Sequence, residues 1–133
     1  MKAEFKGKPM VLVVDDEDDL LYLVELTLKQ EGFTTEISPN GVDMMDLIAQ
    51  TRPDIIMLDI HMKGIDGGSL CHLIKSNTST ADIPVIIFSA NENVANISKQ
   101  CGADGYIAKP FSGEKFKDAF RSILNKRNQR NQS

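Results

Sequence analysis

Only two cysteines, Cys71 and Cys101, occur in 133 residues, and they form no CxxC pair. That spacing predicts two free thiols in a reducing compartment rather than a disulfide framework. Long apolar runs are missing too, since none approaches the roughly 18 residues a bilayer crossing needs. The opening "MKAEFKGKPM" has no apolar stretch and carries Glu4, so it does not read as a signal peptide. The expectation is a cytoplasmic protein with no membrane contact. Basic charge is scarce: 15 Lys and Arg stand against 19 Asp and Glu, for a net charge of −4. Phosphate backbones reward clustered Lys and Arg, so this balance argues against direct nucleic-acid binding. The one basic cluster, "NKRNQRNQS" (Asn125–Ser133), reads as a solvated, fraying helix end. No GxxxxGK[ST] or GxGxxG phosphate cradle is present. His61 and His72 form no evident nucleophile and base pair with a serine, and each reads as a surface or hydrogen-bonded histidine.

What is present is a regular alternation. With 41% hydrophobic and 26% charged residues, the composition is that of an ordinary globular chain of one domain, without internal repeat or linker. "MVLVV" (Met10–Val14) reads as a buried strand, followed by a helix with Leu20, Leu21, Val24 and Leu28 on one face and Gly32 at its end. "FTTEI" (Phe33–Ile37) reads as an edge strand. "PNG" (Pro39–Gly41) turns into the helix Val42–Gln50, and Pro53 opens the strand "DIIMLD". His61–Gly68 reads as a loop before the short helix "SLCHLIKSN". Then come the strand Val85–Ser89, a modest helix closed by Gly102, and the strand Gly105–Ala108. A last helix places Phe116, Ala119, Phe120 and Ile123 on one face.

Five strands thus alternate with five helices, and the strands are unbroken apolar runs, as expected when helices cover both faces of a sheet. Right-handed crossovers then predict an α/β, doubly wound parallel sheet. In such sheets the working site lies beyond the carboxyl ends of the strands. The residues there are Asp15 and Asp16, Asp59, Ser89 and Lys109. Alone, each has a plain explanation: a helix cap, a turn serine, a solvated lysine. Together they bring three carboxylates, a hydroxyl and an ammonium to one crevice. Carboxylates so close repel one another, and a hard divalent cation such as Mg²⁺ relieves the repulsion.

"VLVVDDEDDL", "DIIMLDIHMKGIDG", "PVIIFSA" and "GADGYIAKPF" occur in that order, and in them the chain resembles the receiver domain of two-component response regulators over Pro9–Leu124. The resemblance implies a flavodoxin-like fold with strand order 2-1-3-4-5. It divides the chain into an extension over 1–8, a receiver domain over 9–125 and a polar basic tail over 126–133. It also implies that Asp59 accepts a phosphoryl group from the phosphohistidine of a histidine kinase or histidine phosphotransfer protein. Asp15, Asp16 and Asp59, with the backbone carbonyl of His61, would hold Mg²⁺, or Mn²⁺ in its place. Lys109 would pair with a phosphate oxygen, aimed by a cis Lys109–Pro110 peptide. Ser89 and Tyr106 would form the switch, and His61 and Asn91 would tune hydrolysis.

On this reading the protein is a signalling switch rather than an enzyme, assisting its own Mg²⁺-dependent phosphorylation and dephosphorylation. Its output would be a contact with a downstream protein still to be named, made as a monomer or a weak phosphorylation-dependent dimer. Two features depart from the family pattern. Lys63 stands where a proline is common, and the segment from Ser89 to Lys109 is slightly short. A phosphorylation-independent interaction module on the same fold is the alternative. A phosphatase of the haloacid-dehalogenase type is disfavoured, because His61 stands where a second aspartate is needed.

Overall fold

The computed structural model describes residues 9–38, 44–62, 65–90, 92–108 and 113–132. Five strands, β1 (Met10–Val14), β2 (Thr34–Ser38), β3 (Ile55–Asp59), β6 (Val85–Ser89) and β7 (Gly105–Ala108), form one parallel sheet in the order β2-β1-β3-β6-β7. Setting aside the short hairpin described below, this is the 2-1-3-4-5 order of the flavodoxin-like fold. Five helices complete it: α1 (Asp18–Gln30), α2 (Met44–Thr51), α3 (Gly67–Ser76), α4 (Val94–Cys101) and α5 (Gly113–Gln132). Among the described residues no helix is long and apolar enough to cross a membrane.

Side chains alternate across a strand, so a sheet covered on both faces needs apolar residues at every position. β3 shows this directly. Ile55 and Met57 enter a core layer with Leu21, Val24 and Leu28 of α1 and Phe120 and Ile123 of α5. Ile56 and Leu58 enter the opposite layer with Met44 and Ile48 of α2, Cys71 and Ile74 of α3, and Val94 of α4. Burying side chains of this size stabilises the fold by about 1.5–3 kcal/mol each. The central strand is therefore a stiff mount for whatever follows it.

Three local readings of the sequence need correction. β2 is an edge strand, as expected, but begins at Thr34 rather than Phe33. The Phe33 N–H is taken by the Leu28 carbonyl at 3.0 Å, and its ring packs edge-on against Phe120, so the ladder starts one residue later. The segment after β3 is not a plain loop: β4 (His61–Met62) and β5 (Ile65–Asp66) pair antiparallel, His61 opposite Asp66. Finally, α3 starts at Gly67, two residues earlier than the apolar periodicity suggests. The reason is Asp66, whose carboxylate accepts the Gly68 N–H at 3.0 Å and the Ser69 hydroxyl at 2.8 Å, a good N-cap.

Candidate functional site

Parallel strands finish at the same rim of the sheet, so the residues after β1 and at the end of β3 meet without any long-range coincidence. The Asp15 N–H donates to the Ser38 carbonyl at 3.2 Å, prolonging the β1–β2 ladder by one bond. Asp15 is thereby drawn fully inside, at 0% exposure, and one of its oxygens accepts the Glu17 N–H at 3.0 Å where the chain enters α1. The N-cap of α1 is Glu17, which makes no side-chain cap bond, so the plain capping explanation does not account for Asp15. Asp16 stays half-buried beside it. Asp59 ends β3 opposite Phe88 and is 3% exposed. Each of the three offers a carboxylate oxygen, and these oxygens lie within 4.8 Å of one another.

Three carboxylates at that spacing, two of them buried, repel strongly in a medium less polar than water. Hard anionic oxygens held this close suit a small divalent cation, and the donor set fits Mg²⁺ with its remaining positions left to a carbonyl, water or phosphate oxygen.

Ser89, at the end of β6, reaches the same rim at 1% exposure, opposite Ala108, the last residue of β7. Tyr106 lies two residues earlier on β7, an edge strand, and is 49% exposed. The main chain of His61 opens β4, two residues past Asp59. Lys109, Pro110 and Asn91 lie outside the described residues, as do Lys63, the Pro39–Gly41 turn and the side chain of His61.

Two elements beside the site escaped the sequence reading: the β4–β5 hairpin and the Asp66 cap. Their signals were a glycine, Gly64, in the link between Met62 and Ile65, and an Asp two residues before a helix-entering Gly-Ser pair. The cysteines also come together. The Cys71 thiol points at the Cys101 carbonyl at 3.6 Å, and both residues are buried and free. Burial, reinforced by a hydrogen bond with the Cys101 side chain, pushes the Cys71 thiol far above its ordinary value.

Residues 11–121 match the family model described as the response regulator receiver domain. Response regulator MprA from Mycobacterium sp. (strain KMS) is 33% identical over 116 residues, covering 86% of this chain and 50% of that protein. Transcriptional regulatory protein CseB from Streptomyces avermitilis is 34% identical over 116 residues, covering 86% and 48%. The chain spans about half the length of the curated relatives it matches. Among solved structures, the signal receiver domain of a signal transduction histidine kinase from Syntrophus aciditrophicus is similar at 28% identity. Its TM-score is 0.77, with 88% of this chain and 90% of that one covered. NtrX from Brucella abortus gives a TM-score of 0.84 at 28% identity, over 94% of this chain and 28% of that one. With its sheet order and its acidic rim, the chain belongs to the response regulator receiver domain family of two-component signalling.

Proposed function

We propose that this domain takes a phosphoryl group onto Asp59 from a phosphohistidine and uses it to switch a protein-contact surface. The observation that carries the proposal is the carboxylate cluster: Asp59 ends a fully buried strand, with Asp15 and Asp16 oxygens within 4.8 Å. An Asp59 oxygen attacks phosphorus, the phosphorus–nitrogen bond breaks, and the donor imidazole leaves with the bond electrons and takes up a proton. Asp15, Asp16, Asp59 and the His61 carbonyl would hold Mg²⁺, which supplies charge neutralisation between the acidic rim and the incoming phosphoryl oxygens. The rigidity of β3 holds the Asp59 carboxylate still, so little reorganisation precedes attack.

Lys109 would meet one phosphate oxygen and the Ser89 hydroxyl another. Drawing Ser89 toward phosphate would shift the chain after β6 and open room for the half-exposed Tyr106, which would then report the change. The phosphate shifts this equilibrium only by its preference for the active state. His61 and Asn91 would set the lifetime of the acyl phosphate. The phosphodonor would be a histidine kinase or histidine phosphotransfer protein.

The test is intact-mass measurement after incubation with a small-molecule phosphodonor and Mg²⁺. Wild type should gain one phosphoryl group, and Asp59→Asn or added EDTA should abolish the gain. No gain from either the small donor or a phosphohistidine protein would overturn the proposal in favour of a phosphorylation-independent interaction module.

A further inference from the structure

Gly67, the first residue of α3, is buried, and its α-carbon is pressed against the main chain at the end of β3. A β-carbon there would sit 2.7 Å from the Ile60 α-carbon and 3.0 Å from the Asp59 carbonyl carbon, and closer still to the Asp59 carbonyl oxygen. These neighbours are backbone atoms, which cannot rotate aside as a side-chain tip does. The Gly67 N–H also donates to the Ile60 carbonyl at 3.1 Å. The next glycine is different: a β-carbon on Gly68 would meet only the Asp66 carboxylate, at 3.4 Å. So the absence of a side chain is required at one position of the pair.

We infer that Gly67 is a positioning residue for Asp59: the bare first turn of α3 is the stop against which the Asp59–Ile60 peptide is seated. Two devices hold the stop in place. The Asp66 cap fastens the first turn of α3, and the pairing of His61 with Asp66 ties that turn back to the chain leaving the site. Asp59 is thus fixed by its pairing with Phe88 of β6, by the β1 ladder that ends one residue before it at Leu58, and by a steric contact at its end. The carbonyl of His61, assigned above to the cation, belongs to the same closed circuit. A methyl group at Gly67 would push the Asp59 main chain away and spoil the carboxylate spacing without touching any carboxylate.

This inference rests on the phosphoacceptor reading of Asp59, and its test separates the two. Gly67→Ala, Gly68→Ala and Gly32→Ala are compared with wild type. Gly32 serves as a stability control, because it has φ +94° and open space around a β-carbon, so alanine there strains only the backbone. The readouts are the Asp59 and Ile60 amide resonances in metal-free protein, Mg²⁺ affinity by calorimetry, and the rate of phosphoryl uptake by intact mass.

Gly67→Ala should move both amides, weaken Mg²⁺ about tenfold or more, and slow uptake on the order of 100-fold. Gly68→Ala and Gly32→Ala should keep wild-type affinity and rate, whatever Gly32→Ala does to the melting temperature. Wild-type values for Gly67→Ala would overturn the inference, as would equal losses in Gly32→Ala at matched stability. If Gly67→Ala does not fold, Asp66→Ala replaces it, since it loosens the first turn of α3 without adding an atom. It should give the same pattern at smaller size, and unchanged Mg²⁺ affinity would again overturn the inference. If wild type itself takes no phosphoryl group, the phosphoacceptor reading falls, while the amide shifts and the Mg²⁺ affinity still decide the role of Gly67.

Discussion

The two rims of the central sheet use the same residue types in opposite ways. At the lower rim, where strands begin, carboxylates are matched to donors. Asp54 accepts the Met10 N–H at 2.8 Å. Asp104 accepts the Val85 N–H at 2.8 Å and the Lys75 ammonium at 2.8 Å, while that ammonium also reaches the carbonyls of Ala81 and Ile83 at 2.7 and 3.0 Å. This knot ties the end of α3 to the segments entering β6 and β7. At the upper rim, where strands end, three carboxylates face one another within 4.8 Å. An acid given donors holds the fold together. Acids crowded against acids would, on the proposed function, hold a cation, and the fold must support them.

That contrast is broken or sharpened by substitution. The largest effect is expected at the upper rim from Asp16→Asn. Outer-shell partners of a metal are worth about 10- to 100-fold in affinity, so if Asp16 is a direct ligand, as proposed above, its loss should weaken Mg²⁺ by at least about 100-fold. Stability of the metal-free protein should hold or rise, because one of three repelling charges is gone. Calorimetry and urea denaturation read the two quantities separately.

Asp104→Ala is the mirror experiment at the lower rim. It deprives the largely buried Lys75 ammonium, 16% exposed, of its carboxylate and leaves it only the two carbonyls, strands the Val85 N–H, and should lower stability by about 2–3 kcal/mol in urea denaturation. Phosphoryl uptake should stay at the wild-type rate. Loss of uptake there, without unfolding, would mean the rims are coupled more tightly than the contacts indicate.

A smaller effect concerns Cys71, between the rims. Burial favours its neutral thiol and raises it above the ordinary 9.0, so below that pH the thiol is protonated whether the chain is folded or not. Above 9.0 the unfolded chain releases a proton the folded one keeps, so the stabilisation is whole below that pH and is lost as pH climbs through the raised value. A denaturation series across the alkaline range checks the direction. In the folded protein Cys71 should also resist alkylation at mildly alkaline pH and yield on denaturation. The smallest effect is expected from Lys29→Ala, which removes the pair of an exposed Lys29 with a half-buried Glu25 at 3.6 Å on α1 and should change stability by about 0.3 kcal/mol.

Much of the fold was legible because its signals are local. Apolar runs such as Val85–Ser89 are short, unbroken and bounded by Pro84 and Ala90, so a strand covered on both faces follows from composition alone. The candidate site was legible for a related reason: Asp15, Asp16, Asp59 and Ser89 each follow or end such a run, and parallel strands bring those ends to one rim. Less legible were features that depend on a partner distant in sequence. Phe33 reads as strand until its N–H is seen bound to Leu28. The segment after Asp59 reads as loop until His61 is paired with Asp66. Cys71 and Cys101 read as unrelated thiols until α3 packs on α4.

The sequence by itself thus determined the alternation of strands and helices, the parallel, doubly wound character of the sheet and the identity of the acidic rim. All three follow from periodicity and from where charge interrupts apolar runs. Tertiary structure alone decided how those acids are held. Gly67 is an ordinary helix-entering glycine in the sequence and becomes a fitted stop only when α3 closes against the end of β3. A close approach of two backbones leaves no trace in residue type beyond the missing side chain that permits it.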